Sequence, residues 1–495
     1  MIITQFLIGL IADDTPYNIV VEVISCMGVL LEDNEELARQ VVDDAEGFLN
    51  YLNQIKQQPD LKGVTGCQVI HNLCSSMKWY DHNTPSKVAS IASLLPTLAK
   101  AIDQSMQKNP STKNGESKHL DPVQTVELAL VVIASIATGL HEGLEHARKP
   151  GNVKKEEEFT GFDNSELANG DVEPKEEDKD EEDAMDVEEL ETGNGEMDED
   201  EMLADMEGVT ADGPDHEDTT GSATLELLIR KSTPSVINII RQNNEHKIQA
   251  LSTLNNITWA ISVIDFTDEH LHDTFELWTK LGQQIWNEIV SPVFASNEAD
   301  LELASLITSI AWAVARCVKG GIKIQSDEPR KFMALHRESK ELLGEDKKEA
   351  AGDGDEFSTL AVKCIGVLGS LALHPAPIEL NKEIAGFLLN VLGELPITPA
   401  AEAVEALDQI FVIWADHAYA FDDAVFWALN LPKHLEDIQP KLKQTAKGID
   451  KRKHPELRER VDEIALNLRR FLAYKRKERQ NSHLIDLNGD SKMAT

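Results

Sequence analysis

The stretch Ala250-Leu-Ser-Thr-Leu-Asn-Asn-Ile-Thr-Trp259 decides the fold. Its apolar residues recur at three- and four-residue intervals, the period of a helix, with small residues set among the Leu and Ile. The same mixture returns in Gln68-Val-Ile-His-Asn-Leu-Cys74, Ala304-Ser-Leu-Ile-Thr-Ser-Ile-Ala-Trp312, Val362-Lys-Cys-Ile-Gly-Val-Leu-Gly-Ser-Leu371 and Ala406-Leu-Asp-Gln-Ile-Phe-Val-Ile-Trp414. From Ala250 onward the copies lie about 40–60 residues apart, near the armadillo/HEAT period with loop insertions. A pair of such helices cannot cover its own apolar face. Stacking the pairs makes one continuous core and leaves a concave surface, and small residues let neighbouring helices approach. The expected fold is therefore all-α, an armadillo/HEAT-type α-solenoid.

Helix starts are visible along the chain. Asp13-Asp14-Thr15-Pro16 precedes a run to Leu31, and Asp33-Asn34-Glu35-Glu36 opens one predicted to continue to about Ile55. Pro85-Ser86 opens a run to Met106, and Asp121-Pro122 one to Arg148. Asp and Asn ahead of a run and Pro in its first turn mark helix N-termini. Later runs are predicted near 223–241, 246–261, 270–293, 298–318, 357–373, 378–392, 400–414, 424–429, 435–445 and 455–476. Residues 325–356, which include Ala350-Ala-Gly-Asp-Gly-Asp-Glu356, read as an inserted loop expected to be disordered.

The chain has 495 residues and a formal charge of −40, with 41% hydrophobic residues. That excludes a wholly disordered chain and a basic nucleic-acid binder, and points to cationic partners. Much of the charge sits between Gly151 and Thr220, where 29 acidic residues face 4 lysines. This segment is too poor in apolar residues to offset the entropy of ordering and is expected to be a disordered tether. Within it, Met197-Asp-Glu-Asp-Glu-Met-Leu-Ala-Asp-Met206 alternates acidic and apolar groups. Glu196, Asp198, Glu199, Asp200, Glu201, Met202, Leu203, Asp205 and Met206 are the candidate contacts for a basic, partly apolar partner.

The balance reverses from Lys441 to Gln480, where 14 basic residues face 6 acidic ones. Lys451-Arg-Lys-His454 and Lys475-Arg-Lys-Glu-Arg479 are its densest clusters. The basic stretch reads as the polar side of a capping helix, an intramolecular partner for the tether, or a nuclear localisation signal. Leu457, Val461, Ile464, Leu468 and Leu472 at helical spacing support the first. Expected domains are residues 1–149, N-terminal armadillo-like repeats; 150–221, the acidic loop; 222–478, HEAT-like repeats; and 479–495, a disordered tail.

No motif carries catalysis. The sequence has no nucleophile elbow and no Walker-type loop, and Cys67 and Cys74 do not have zinc-ligand spacing. Five scattered cysteines and no secretory n-region indicate a reducing compartment, with neither cofactor, metal nor membrane expected. What remains is the concave surface. Asn72, Asn255 and Asn256 are candidates to bond the backbone of an extended peptide. Trp259, Trp312 and Trp414 are candidates for stacking Lys and Arg stems, or else for packing between repeats.

Glu405-Ala-Leu-Asp-Gln-Ile-Phe-Val-Ile-Trp-Ala-Asp416, followed by Asn467-Leu-Arg-Arg-Phe-Leu-Ala-Tyr474, resembles the symportin family. Ala250–Trp259 and the acidic insert fit the resemblance. It implies a non-enzymatic adaptor and chaperone that binds two large-subunit ribosomal proteins, five and eleven, which accompany 5S rRNA. It implies their co-import into the nucleus on a transportin-type karyopherin, and shuttling between cytoplasm and nucleus. The acidic insert, Glu156–Asp218, would contact protein eleven; the helices near Asn255, Asn256 and Trp259 would contact the N-terminal segment of protein five. Direct nucleic-acid binding is not expected. Pro16-Tyr17 has no basic residues upstream and is not read as the family's proline-tyrosine import signal, so the chain is expected to be N-terminally shortened. An importin-alpha-like receptor is one alternative, but the Trp-x-x-x-Asn ladder is absent, because Gln68, Leu251 and Ser252 precede the three asparagines. An acidic histone chaperone is the other.

Overall fold

Helix-period patterning fixes the architecture. The computed structural model describes residues 2–11, 15–107, 122–148, 222–242, 245–295, 300–342 and 356–490, and every regular element among them is helical. The chain divides into one unit of Met1–Ala147 with Gly221–Thr495, described here, and a second, Arg148–Thr220, which beyond Arg148 lies outside the described residues.

The helices alternate between outer and inner positions. Outer elements are α1 (Ile2–Gly9), α3 and α4 (Glu35–Asp44, Glu46–Ile55) and α6 (Leu95–Gln107). They continue with α8 and α9 (Ala223–Leu227, Thr233–Gln242), α11 and α12 (His272–Ile285, Ser291–Ala295), α14 (Glu328–Leu342), α16 (Ile378–Gly393) and α18 (Leu431–Gly448). Inner helices are α2 (Tyr17–Leu31), α5 (Leu61–Ser76), α7 (Pro122–Arg148), α10 (Lys247–Ser262), α13 (Leu301–Val318), α15 (Leu360–Leu371), α17 (Ala400–Ile413) and α19 (Pro455–Asp490). The inner helices stack in chain order: α2 on α5, then α10 on α13, α15, α17 and α19. Gln249 and Thr253 of α10 donate to the Glu127 and Leu130 carbonyls of α7, at 3.1 and 3.3 Å, which joins the two runs. The result is an α-solenoid.

Local chemistry explains the boundaries. Asn34, Asp60, Ser222, Asp300 and Thr359 each accept a backbone N–H three residues on, capping α3, α5, α8, α13 and α15. Inner helices are covered on several sides, so they read as nearly continuous apolar runs; in α15 every residue except Lys363 is buried. One loop clasps the two sides of the acidic insert. The Asp81 carboxylate accepts from Ser222 Oγ (2.8 Å), Thr224 N (2.7 Å) and Thr224 Oγ1 (2.7 Å). Beside it, the Tyr80 ring fills the space over Gly143 of α7.

Several expectations need correction. Part of the stretch read as an inserted loop at 325–356 forms the outer helix α14. Its polarity hides a narrow apolar seam in which Phe332 and His336 are buried one turn apart. The buried Glu328 carboxylate accepts from Trp286 Nε1 at 3.0 Å and from Gln325 N at 2.9 Å, and His336 Nε2 meets Glu402 Oε2 at 3.0 Å. The single run expected from Asp33 to Ile55 breaks at Ala45 into two helices. The run opened at Pro85 becomes helical only at Ile91, first as a 3-10 turn. The run near 270–293 passes through a π turn at Trp286–Val290.

The basic C-terminus is a capping helix, yet not all its cations face water. Lys475 is 1% exposed, 2.7 Å from Asp422 Oδ1 and over the Phe426 ring at 5.2 Å. Arg476 pairs with Glu436. Arg479 stacks 4.1 Å from the Trp427 ring centroid. The Lys475-Arg-Lys-Glu-Arg cluster is therefore largely engaged by the fold. Removing one partner of a buried pair strands the other charge, at a cost of about 3–5 kcal/mol. Lys475→Ala is expected to lower the unfolding free energy by that order in urea denaturation; a change below about 1 kcal/mol would refute the pairing.

Candidate partner-binding face

The inner helices carry the polar residues that the core does not absorb. On α5, Asn72 Nδ2 donates to the Gly28 carbonyl of α2 at 3.0 Å, so this amide is engaged in the ladder. Two steps along, α10 carries half-buried Asn255, Asn256 and Trp259. Trp259 Nε1 donates to Ser309 Oγ of α13 at 2.8 Å. Its ring meets Trp312 edge-on, with centroids 5.2 Å apart and planes at 81°. The Asn255 side-chain oxygen and the Trp312 indole N–H are buried without a hydrogen-bond partner among the described residues. Thus Asn255, Trp259 and Trp312 come together across α10 and α13, while Asn72 lies two inner helices away. Trp414 is fully buried at the end of α17, 6.1 Å from the Phe426 ring centroid, and so packs between repeats and offers no face to a client. The acidic candidates Glu196 to Met206 lie outside the described residues.

Charge appears farther along the same row. Lys363 of α15 donates to Ser305 Oγ of α13 at 2.9 Å, and desolvation lowers its pKa. On α17, Gln409 Nε2 donates to Glu405 Oε1 at 2.7 Å. Desolvation, opposed by that bond, pushes the Glu405 carboxyl up to about 7. Burial likewise pushes Asp408 up to about 6, although Arg460 Nη2 of α19 lies 3.3 Å away. Sequence reading did not single out Lys363, Glu405, Asp408 or Gln409. The available signal was a charged or amide side chain inside an otherwise apolar inner helix. The row suits an extended polypeptide bearing cations: aromatic faces attract them and under-solvated carboxylates gain by pairing.

The pH consequence has a definite sign. Because the Glu405 pKa is raised on folding, its stabilising contribution is complete below the ordinary glutamate value and is lost as pH rises through about 7. Glu405→Gln is expected to raise the melting temperature relative to the parent at pH 8, with the gap closing toward pH 5. A gap independent of pH would show that Glu405 ionises normally.

A ladder of two-helix repeats with such a row on its inner helices defines the class of α-solenoid repeat proteins. Residues 224–479 match the family described as SYO1-like, TPR repeats. The chain is 38% identical over 498 residues to Symportin 1 of Chaetomium thermophilum, covering 94% of this chain and 71% of that protein. It is 34% identical over 120 residues to Synchronized import protein 1 of Saccharomyces cerevisiae, covering 24% and 19% of the two chains. It is 26% identical over 239 residues to the armadillo repeat protein involved in nucleocytoplasmic transport Syo2 of Schizosaccharomyces pombe, covering 46% and 32%. The chain belongs to the symportin family.

Proposed function

We propose that this chain is a nuclear import adaptor and chaperone for basic cargo, shuttling between cytoplasm and nucleus. The cargo is the pair of 5S rRNA-associated large-subunit ribosomal proteins, five and eleven. A relative named Symportin 1, matched over 94% of this chain, is the observation that carries the import role. The names of the yeast relatives, with import and nucleocytoplasmic transport in them, support it.

Physical chemistry supports the cargo class. Ribosomal proteins are rich in Lys and Arg and bind stray polyanions; a chain of charge −40 with an acidic insert attracts and shields such surfaces. In this reading Asn255, Asn256, Trp259 and Trp312 line the track for the extended N-terminal segment of protein five. Glu196 to Met206 contact protein eleven. A transportin-type karyopherin is the receptor that the family resemblance implies.

Co-expression with both ribosomal proteins is the experiment. A soluble ternary complex is expected at low salt and should weaken as salt screens the contacts. Neutralising the acidic residues between Glu196 and Glu207 should release protein eleven first and leave the melting temperature unchanged. Failure to form any complex at low salt, or a large fall in melting temperature on neutralisation, would overturn the reading.

A further inference from the structure

Some of the C-terminal cations are engaged by the fold and others are not. Lys475, Arg476, Arg479, Arg460 and Arg458 are paired, stacked or buried. Another group, Lys443, Lys447, Lys451, Arg452 and Lys453, is exposed at the end of α18 and in the turn before α19. None of these five lies within ion-pair distance of an acid among the described residues. The one acid inside the stretch, Asp450, directs its side chain at the backbone; its pKa is lowered first by the Arg452 N–H and further by the nearby Lys453 and Arg452 charges, which it offsets only in part. Its Oδ1 accepts from Arg452 N at 2.9 Å, and its carbonyl accepts from Lys453 N and His454 N at 3.1 and 2.9 Å. His454 meets Glu356 Oε1 at 2.7 Å, which pins the end of the turn. The turn is thus held in shape while its three consecutive cations remain in water.

We propose that this turn, with Lys443 and Lys447 beside it, is a docking surface for an acidic segment of a partner polypeptide. It repels a basic cargo, so it serves a different partner and leaves the inner face free. Charge complementarity names the class: the patch is a local concentration of positive charge on a chain of −40. A polypeptide is favoured over RNA because single-stranded RNA sites interleave cations with aromatic stacking platforms. No Phe, Tyr or Trp occurs between Trp427 and Phe471. The hydrogen-bonded turn also argues against an unfolded localisation signal, which would have to break the Asp450 contacts to extend.

The experiment uses the full chain and a fluorescein-labelled 20-residue Glu/Asp peptide, read by anisotropy at low salt. The triple variant K451E/R452E/K453E is expected to bind about tenfold more weakly, the sum of three exposed charge contacts. A control, K100E/K280E/K382E, makes the same change in net charge on exposed lysines elsewhere and should change binding less than twofold. Circular dichroism should give the same melting temperature for both. Co-expressed ribosomal proteins should still bind the triple variant, which separates this surface from the cargo reading. Equal weakening by the control, no binding of the peptide, or tighter and turn-dependent binding of a 20-nucleotide single-stranded RNA would each overturn the proposal.

Discussion

The close approach of neighbouring inner helices is the constraint on which the molecule depends. At Gly366 of α15 an added Cβ would sit 2.1 Å from the Trp312 indole of α13. At Gly369 it would sit 2.1 Å from the Gln409 side chain of α17. Bulk on one helix therefore fits only where its neighbour has none, and this sets the spacing of three successive repeats. Each repeat touches little beyond its neighbours, so a local misfit is passed along the stack instead of being absorbed in a common core. The Trp259–Trp312 pair and the Glu405–Gln409 bond are by-products of the same packing, and they make up much of the exposed row.

Electrostatics refines what packing builds. A chain this acidic must hold its own structure against self-repulsion. The C-terminal helix does so by returning cations to the fold: Lys475 to Asp422, Arg460 to Asp408. The carboxylates of α17 keep part of their desolvation cost, seen in the raised pKa values of Glu405 and Asp408. A cation from outside would relieve it. In the proposed reading the inner row takes up basic groups, while the exposed turn at Lys451–Lys453 takes up acidic ones.

Much of the fold was legible in the sequence, because inner helices are buried on several sides and show their character in every residue. Val362–Leu371 reads as an inner helix from its Gly, Ser and Leu alone. The outer helix α14 was not legible: its buried seam mixes Phe332 with Glu328, His336 and Ser339, and His336 becomes a core residue through Phe387 and Glu402, far along the chain. Site residues divide the same way. Trp259 and Trp312 were found because aromatic residues on repeat helices are conspicuous. Trp414 looked equivalent, yet it is covered by Phe426, which periodicity does not reveal. Glu405 and Asp408 sat within a quoted motif without a role, since desolvation depends on the neighbouring helices α15 and α19.

Amide hydrogen exchange on the Gly366→Ala variant of this 495-residue chain addresses the central constraint most directly. Helix propensity alone favours alanine by about 1 kcal/mol, whereas overpacking against Trp312 costs about 1–3 kcal/mol. The interlocked ladder predicts lower protection in α13, α15 and α17 together. Unchanged or higher protection, or loss confined to α15, would contradict it.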